Sequence, residues 1–387
     1  MGTFKEFRRG LRSRRNRRRL DAERGEYVER FRSLGLSIPD EEEIRSRIRS
    51  RFPSLLPRPK GELRILAVYH NYAWEEEAFR PTLARFGAVE HLDWSKARFA
   101  GEGRKDAAWR DRMNGELLRA ASERHAVRPF DVVFTYVSGE QVTPETVAGL
   151  RAFGAPLVNL SLNDKEWFVG RRKHGPATGV RDICRHFDLC WTSTRDALEK
   201  YCVEGALPLY LPEGANPEIH RPYDVERTIA VSFVGGRYGN RPAFIGALRE
   251  AGIRVAVFGP GWPGGALSTE EMVRTYSRSR VNLGFGGVAG HEDTYCLKGR
   301  DFEVPMSGGL YLVEEHEELS QFYEVGKEIV AYSGPEDLVR KVRWLLGNPG
   351  EAEAIRQAGR RRALSEHTWE MRFGKVLGLL GVIAEAG

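Results

Sequence analysis

The sequence predicts an α/β protein built from two Rossmann-like, doubly wound parallel-sheet domains that face a cleft, preceded by a basic helical extension. Three observations carry that reading. From Leu63 onward, short β-branched runs alternate with longer segments of helical period, the pattern of a parallel sheet covered on both faces. The rhythm breaks once, at a stretch bearing Pro212, Pro217 and Pro222, and then restarts. Charge is also unevenly placed. The 387-residue chain has a formal net charge of +6, but residues 1–60 hold 18 Lys+Arg against 9 Asp+Glu. The extension is therefore at +9 and the rest of the chain at −3.

Composition excludes several classes. Hydrophobic residues at 41% and aromatics at 10% are those of a packed protein, not a disordered one. No stretch approaches the roughly 18–20 apolar residues of a membrane span, and no apolar segment of signal-peptide type follows the first basic residues. A cytoplasmic chain is expected, with the basic extension as a means of peripheral contact at the inner membrane face. Cys184, Cys190, Cys202 and Cys296 are too few and too irregularly spaced for a disulfide framework or a zinc knuckle, and read as reduced thiols.

Residues 1–60 read as the extension. Phe4, Phe7 and Leu11 follow helical spacing, and Leu20, Tyr27, Phe31 and Leu34 continue the stripe. A second helix is signalled by Asp40 ahead of three glutamates, with Ile44, Ile48 and Phe52 on one face. Pro53, Pro57 and Pro59 mark a linker. Either a membrane surface or a protein partner would suit this basic arm, as would a solvated face.

The first sheet domain spans 61–213, with strands near 63–70, 88–94, 130–137, 156–162, 188–193 and 207–212. The second spans 214–373, with strands near 228–236, 253–259, 280–286, 309–315 and 328–332. Residues 374–387 read as a helical tail.

In open α/β sheets, ligands sit outside the carboxyl ends of the strands. Three loops at that edge of the second domain are glycine-rich: "FVGGRYGNR" with Gly235 and Gly236, "VFGPGWPGG" with Phe258 and Gly259, and "LGFGGVAG" over 283–290. Asn240 is placed to cap the first following helix, with Pro242 in its opening turn. Amides converging at a helix N-terminus bind anions, and Arg237 or Arg241 adds full charge. The segment "CLKGRDFEVPMSGG" sets Lys298 and Arg300 ahead of Glu303, so that two cations meet a diphosphate while a carboxylate accepts from ribose hydroxyls. A solvated Arg300–Glu303 pair is the competing reading. Pro305 predicts a kink or a late helix start.

The residues "FVGGRYGNR", "VNLGF", "KGRDFEVPMSGGLYLVEE" and "RRRALSEHTWEMR" resemble the donor-binding half of GT-B glycosyltransferases. Within these, the chain is similar to the CgeB-type, spore-maturation branch related to group 1 (family 4) enzymes. The resemblance implies that Glu303 contacts the nucleotide ribose and that Arg237 or Arg241, with Lys298 and Arg300, binds the diphosphate. It also implies a nucleoside-diphosphate sugar, most simply a UDP-sugar, as donor substrate, with no permanently bound cofactor and a hydroxyl acceptor of unassigned class. The family's pattern of two glutamates seven residues apart has Tyr295 at the earlier position here, with Glu292 and Asp293 slightly upstream.

Transfer of this kind needs the leaving diphosphate stabilised, which Lys298, Arg300 and helix-terminal amides can do. No Asp-x-Asp motif is present, so metal-independent chemistry is expected. A retaining enzyme needs no strong protein base, whereas an inverting one needs a carboxylate or histidine from the first domain. His70, directly after the first strand, and Asp164 in "LNDKEW" are the candidates. Asn216 and His220 in "EGANPEIHRP" lie at the domain junction, where related enzymes contact donor or acceptor. The basic run "RRKHG" (171–175) would suit an anionic acceptor or simply a solvated loop. Two other classes fit the same sequence: a nucleotide-sugar-binding protein without turnover, and a nucleic-acid or anionic-surface binder acting through residues 1–60.

Overall fold

The computed structural model describes residues 2–71, 74–93, 107–171, 177–288 and 294–384, with side chains from residue 15 and, in the helix beginning at Ala107, from residue 109. The chain forms two compact units. One comprises Leu20–Pro212 with Glu370–Gly387, and the other is centred on Glu213–Trp369.

The first unit holds a six-stranded parallel sheet of β1 (Leu63–Tyr69), β2 (Gly87–Leu92), β3 (Val132–Tyr136), β4 (Leu157–Ser161), β5 (Leu189–Thr192) and β6 (Pro208–Tyr210). Their spatial order is β2-β1-β3-β4-β5-β6. Every residue of β1 is buried, as a strand covered on both faces requires. The chain reverses its direction of travel between β1 and β3, so the carboxyl ends of those two strands frame this sheet's switch point.

Residues 20–60 are part of this unit and not a separate extension. Tyr27 is buried edge-on against Phe168, with ring centroids 5.5 Å apart, and its hydroxyl donates to Glu204. Glu23 pairs with Lys200 at 2.7 Å, both side chains nearly closed to solvent. The helix Glu41–Arg51 starts where the acidic run places it: Asp40 accepts from the Glu43 N–H at 2.8 Å, and Ile44 and Ile48 are buried. Arg51 at its end donates to Asp188 (2.5 Å), which also receives Arg151 (3.0 Å) and the Leu157 N–H (3.0 Å). The tail is likewise built in. Phe373, in the helix Trp369–Leu379, packs edge-on against Phe79, Phe134 and Trp191. These apolar stripes need a partner, and the first unit supplies it: Phe168 for Tyr27, and Phe79 with β3 and β5 residues for Phe373.

The second unit holds β7 (Ile229–Val234), β8 (Val255–Phe258), β9 (Ser279–Gly284), β10 (Tyr311–Glu314) and β11 (Val330–Tyr332), all parallel, in the order β11-β10-β9-β7-β8. The chain goes from β7 to β8 on one side and returns to β9 on the other. The switch point therefore lies between the carboxyl ends of β7 and β9. The helix Gly299–Met306 begins at Gly299 and runs through Pro305, contrary to the kink or late start expected. Pro305 falls in the closing turn, so its missing N–H and its ring disturb only a helix about to end. No helix among the described residues is long and apolar enough to cross a membrane.

Asp188 is 4% exposed and gathers two guanidinium groups and a backbone amide. Asp188→Ala should therefore cost about 2–3 kcal/mol, because the Leu157 N–H is left buried without an acceptor while the two arginines can rehydrate. Asp188→Asn should cost less. Urea unfolding of the three proteins measures both.

Candidate functional site

The carboxyl edge of the second sheet gathers most of the residues singled out from sequence. The loops after β7 and β8 are zipped together: the Gly235 N–H donates to the Phe258 carbonyl and the Arg237 N–H to that of Pro260, both at 2.9 Å. The contact is so close that a Cβ on Gly259 would lie 2.5 Å from the Gly235 carbonyl oxygen, and Gly259 also has a φ of +115°. Only glycine meets both conditions without strain.

The arginines of the first loop divide. Arg237 is exposed, its guanidinium 5.5 Å from the centre of the Trp262 ring. Arg241 points inward instead. It is 1% exposed, lies 3.7 Å over the Tyr238 ring and donates to the Gly236 carbonyl at 2.9 Å. Burial and the neighbouring Arg300 push its pKa down to about 10. Its geometry is that of a strut beneath the loop, and Arg237 is the arginine presented to solvent. Asn240 occupies the cap position but does not cap; its amide donates to Glu314 at 2.7 Å, while Glu314 accepts the Gly287 N–H.

The helix Gly299–Met306 brings in the charged segment. Asp301 closes its first turn by accepting from the Lys298 N–H (2.6 Å) and from the Tyr311 hydroxyl (2.7 Å). The Lys298 ammonium donates to the Cys296 sulfur at 2.8 Å. Arg300 folds back beneath the glycine loop: one of its terminal nitrogens lies 3.1 Å from where a Gly235 Cβ would be, and its guanidinium stands 5.5 Å from the Phe233 ring centre. Its Nε has no hydrogen-bond partner among the described residues. The expected competing pair of Arg300 with Glu303 is replaced by a different arrangement. Glu303 faces His220, with Oε1 3.9 Å from Nε2. His220 Nδ1 in turn accepts the Asn216 N–H at 3.2 Å, and the Asn216 side chain accepts the Glu218 N–H. Asn216 is thus a buried organiser of the segment that brings His220 to the site.

Sequence reasoning missed Glu213, the last residue it gave to the first sheet domain. Its Oε2 lies 3.1 Å, and Oε1 of Glu303 3.0 Å, from the point a Cβ on Gly299 would occupy. Two carboxyl groups thus flank the start of one helix. Burial, and then the charge on Glu303, push the Glu213 pKa up to about 8, against the opposing pull of Lys298. Tyr276 was missed as well. Its hydroxyl is buried without a hydrogen-bond partner among the described residues and feels the charges of Glu303 and Arg300. No spacing rule points to either residue; Glu213 becomes visible only where the chain folds back on Gly299, and Tyr276 only through its place near Glu303 and Arg300.

His70 and Asp164 belong to the first unit. His70 follows β1 and its Nδ1 lies 3.1 Å from Asp93, a pair at the carboxyl edge of that sheet. Asp164 does not fit the role of a base. It is 0% exposed, and its oxygens accept from Ser161, Thr192 and Tyr201, so it pins β4 to β5. Residues 172–176 of the basic loop, Ala289 and Gly290 of the third glycine-rich loop, and Glu292 and Asp293 lie outside the described residues. Tyr295 stacks on His316, with ring centroids 6.0 Å apart. Among the described residues no group of three or more His, Cys, Asp or Glu could hold a metal ion.

Gly259→Ala should destabilise the second unit by about 1–3 kcal/mol, the cost of a strained backbone with a Cβ against a carbonyl; thermal unfolding reports it. Glu213 predicts a pH dependence. Folded, the group holds a proton up to about pH 8, whereas unfolded it releases it in the ordinary carboxylate range. Stability from this group therefore falls as pH rises through that window and levels off above it. The advantage of Glu213→Gln over the native chain should grow from about pH 4.5 to 8 and then stay constant in pH-dependent denaturation.

Residues 241–378 match the sequence profile of a family described as glycosyl transferase-like. No curated protein sequence matches the chain. Among solved structures, sucrose-phosphate synthase from Thermosynechococcus elongatus aligns over 82% of this chain and 99% of its own, with a TM-score of 0.60 and 11% identity. A glycosyltransferase from Rickettsia africae aligns over 82% and 98%, with a TM-score of 0.56 and 11% identity. HepE from Anabaena, solved with UDP and glucose, aligns over 82% and 100%, with a TM-score of 0.53 and 11% identity. The chain shares the GT-B fold of two parallel-sheet α/β units, and residues 241–378, most of them in the second unit, are similar to a glycosyl transferase-like domain.

Proposed function

We propose that the chain transfers a sugar from a nucleoside-diphosphate donor to an acceptor hydroxyl, within the CgeB-type branch that its "KGRDFEVPMSGG" segment resembles. The observation that carries this reading is the convergence, at the switch point of the second sheet, of the zipped Gly235 and Gly259 loops with Lys298, Arg300 and Glu303. The glycine backbone gives a diphosphate close approach. Lys298, Arg300 and the N-terminal amides of the helix Gly299–Met306 oppose the charge that gathers on the diphosphate as the bond to the anomeric carbon breaks. Glu303 accepts hydrogen bonds from the ribose. The uridine diphosphate bound by HepE supports a UDP-sugar as the first donor to try. In a retaining course, a phosphate oxygen of the leaving group takes the proton of the attacking hydroxyl. No metal is required, since fixed cations meet the leaving group.

The His70–Asp93 pair favours a second reading, an inverting course. There the imidazole takes the acceptor proton while Asp93 holds its other nitrogen. The anomeric configuration of the first product, read by proton NMR, separates the two courses.

Incubation with UDP-, GDP- and TDP-sugars should show turnover or slow donor hydrolysis with at least one, undiminished by EDTA. Tight binding without any turnover would favour a binding protein instead. Glu303→Ala should lower nucleotide affinity at least tenfold, the scale of a lost hydrogen bond to a charged group. Unchanged affinity by calorimetry would displace the ribose from this position.

A further inference from the structure

We infer that Glu213 is a second donor-binding carboxyl, acting with Glu303 as a pair that shares one proton, and that this pair receives the vicinal diol of a nucleotide ribose. The inference rests on the donor-site reading above and assigns a ligand role to a residue outside the charged segment.

Three observations carry it. The carboxyl oxygens of Glu213 and Glu303 lie 3.1 and 3.0 Å from the point a Cβ on Gly299 would occupy, where there is no side chain to separate them. The Tyr276 hydroxyl, 2% exposed, senses the Glu303 charge and has no hydrogen-bond partner among the described residues. The Arg300 Nε is unpartnered in the same sense. Polar atoms left without partners beside paired carboxyls mark the place of a polar ligand, because leaving them buried and unmatched costs free energy.

The chemistry of the pair suits a diol. Each ribose hydroxyl donates one hydrogen bond and also accepts. Two ionised carboxylates would offer acceptors only, and would repel each other. One carboxylate with one carboxylic acid offers both an acceptor and a donor. The surroundings decide which group is which. His220 Nδ1 accepts the Asn216 N–H, so the proton of the neutral imidazole sits on Nε2, toward Glu303. His220 thus turns a donor, and not an acceptor, toward Glu303. Asp301, the other acid nearby, is occupied by the Lys298 N–H and the Tyr311 hydroxyl. Lys298 and Arg300 draw Glu213 toward ionisation, while burial, Glu303 and Asp301 oppose it and prevail.

Calorimetry with UDP and GDP on the full-length chain tests the inference between pH 6 and pH 9.5. The ratio of association constants, native over Glu213→Gln, cancels the nucleotide's own titration. That ratio should be flat below about pH 7.5 and fall roughly tenfold by pH 9, as the native group loses its proton and the amide keeps its donor. Glu213→Ala should weaken UDP and leave 2′,3′-dideoxy-UDP unchanged. A flat ratio across the whole range, or an alanine variant that loses both ligands equally, overturns the role of Glu213 while leaving the donor site in place. Failure of the native chain to bind either nucleotide at pH 7 overturns the donor-site reading and the inference with it.

Discussion

Charge partly withdrawn from water at the start of one short helix is the constraint that organises the second unit. Lys298, Arg300, Glu303, Glu213 and Asp301 lie within reach of each other around Gly299. In a poorly solvated site such groups interact far more strongly than on the surface, so each requires a counter-charge, a dipole or a proton. The arrangement supplies these in turn. Asp301 takes the helix cap and the Tyr311 hydroxyl, Lys298 the Cys296 sulfur, Arg300 an aromatic face, and Glu213 is the acid left neutral. The glycine loops are pressed together over Arg300, which is why Gly259 admits no side chain.

The first unit is organised by the same physics at a different position. Asp188 and Asp164 are both buried acids, but each is enclosed by donors from several elements. Asp188 ties a helix near the N-terminus to β4, and Asp164 ties β4 to β5. A buried acid surrounded by donors serves architecture. A half-buried acid beside another acid and beside unpartnered polar atoms is the arrangement of a binding site.

The layout of strands and helices was legible from sequence because parallel strands buried on both faces read as short β-branched runs, and the helices between them keep a polar side. The glycine loops and the segment from Lys298 to Glu303 were legible because their chemistry is written in consecutive residues. What escaped depended on where the chain returns in space. Arg241 and Arg237 stand four residues apart, yet one is buried and one exposed, a distinction set by the path of the loop between β7 and the helix Arg241–Glu250. Asn240 has the composition of a cap, but its amide donates to the Glu314 carboxylate and its oxygen accepts no N–H from the helix start. Glu213 and Tyr276 carry no motif, and Asp164 differs from a catalytic acid only by the three hydroxyls around it.

The tie between Arg51 and Asp188 bears on how the basic N-terminus can be studied. A chain cut back to residue 60 would lose its arginine-rich stretch, but also Tyr27, Glu23 and Arg51, which cover Phe168, Lys200 and Asp188. Such a truncation would bare a strand-anchoring acid and a buried lysine together. Any loss of surface or polyanion binding would then be inseparable from damage to the first sheet. The boundary that isolates the arm's charge lies ahead of Leu20, where nine of its basic residues stand and the buried stripe has barely begun.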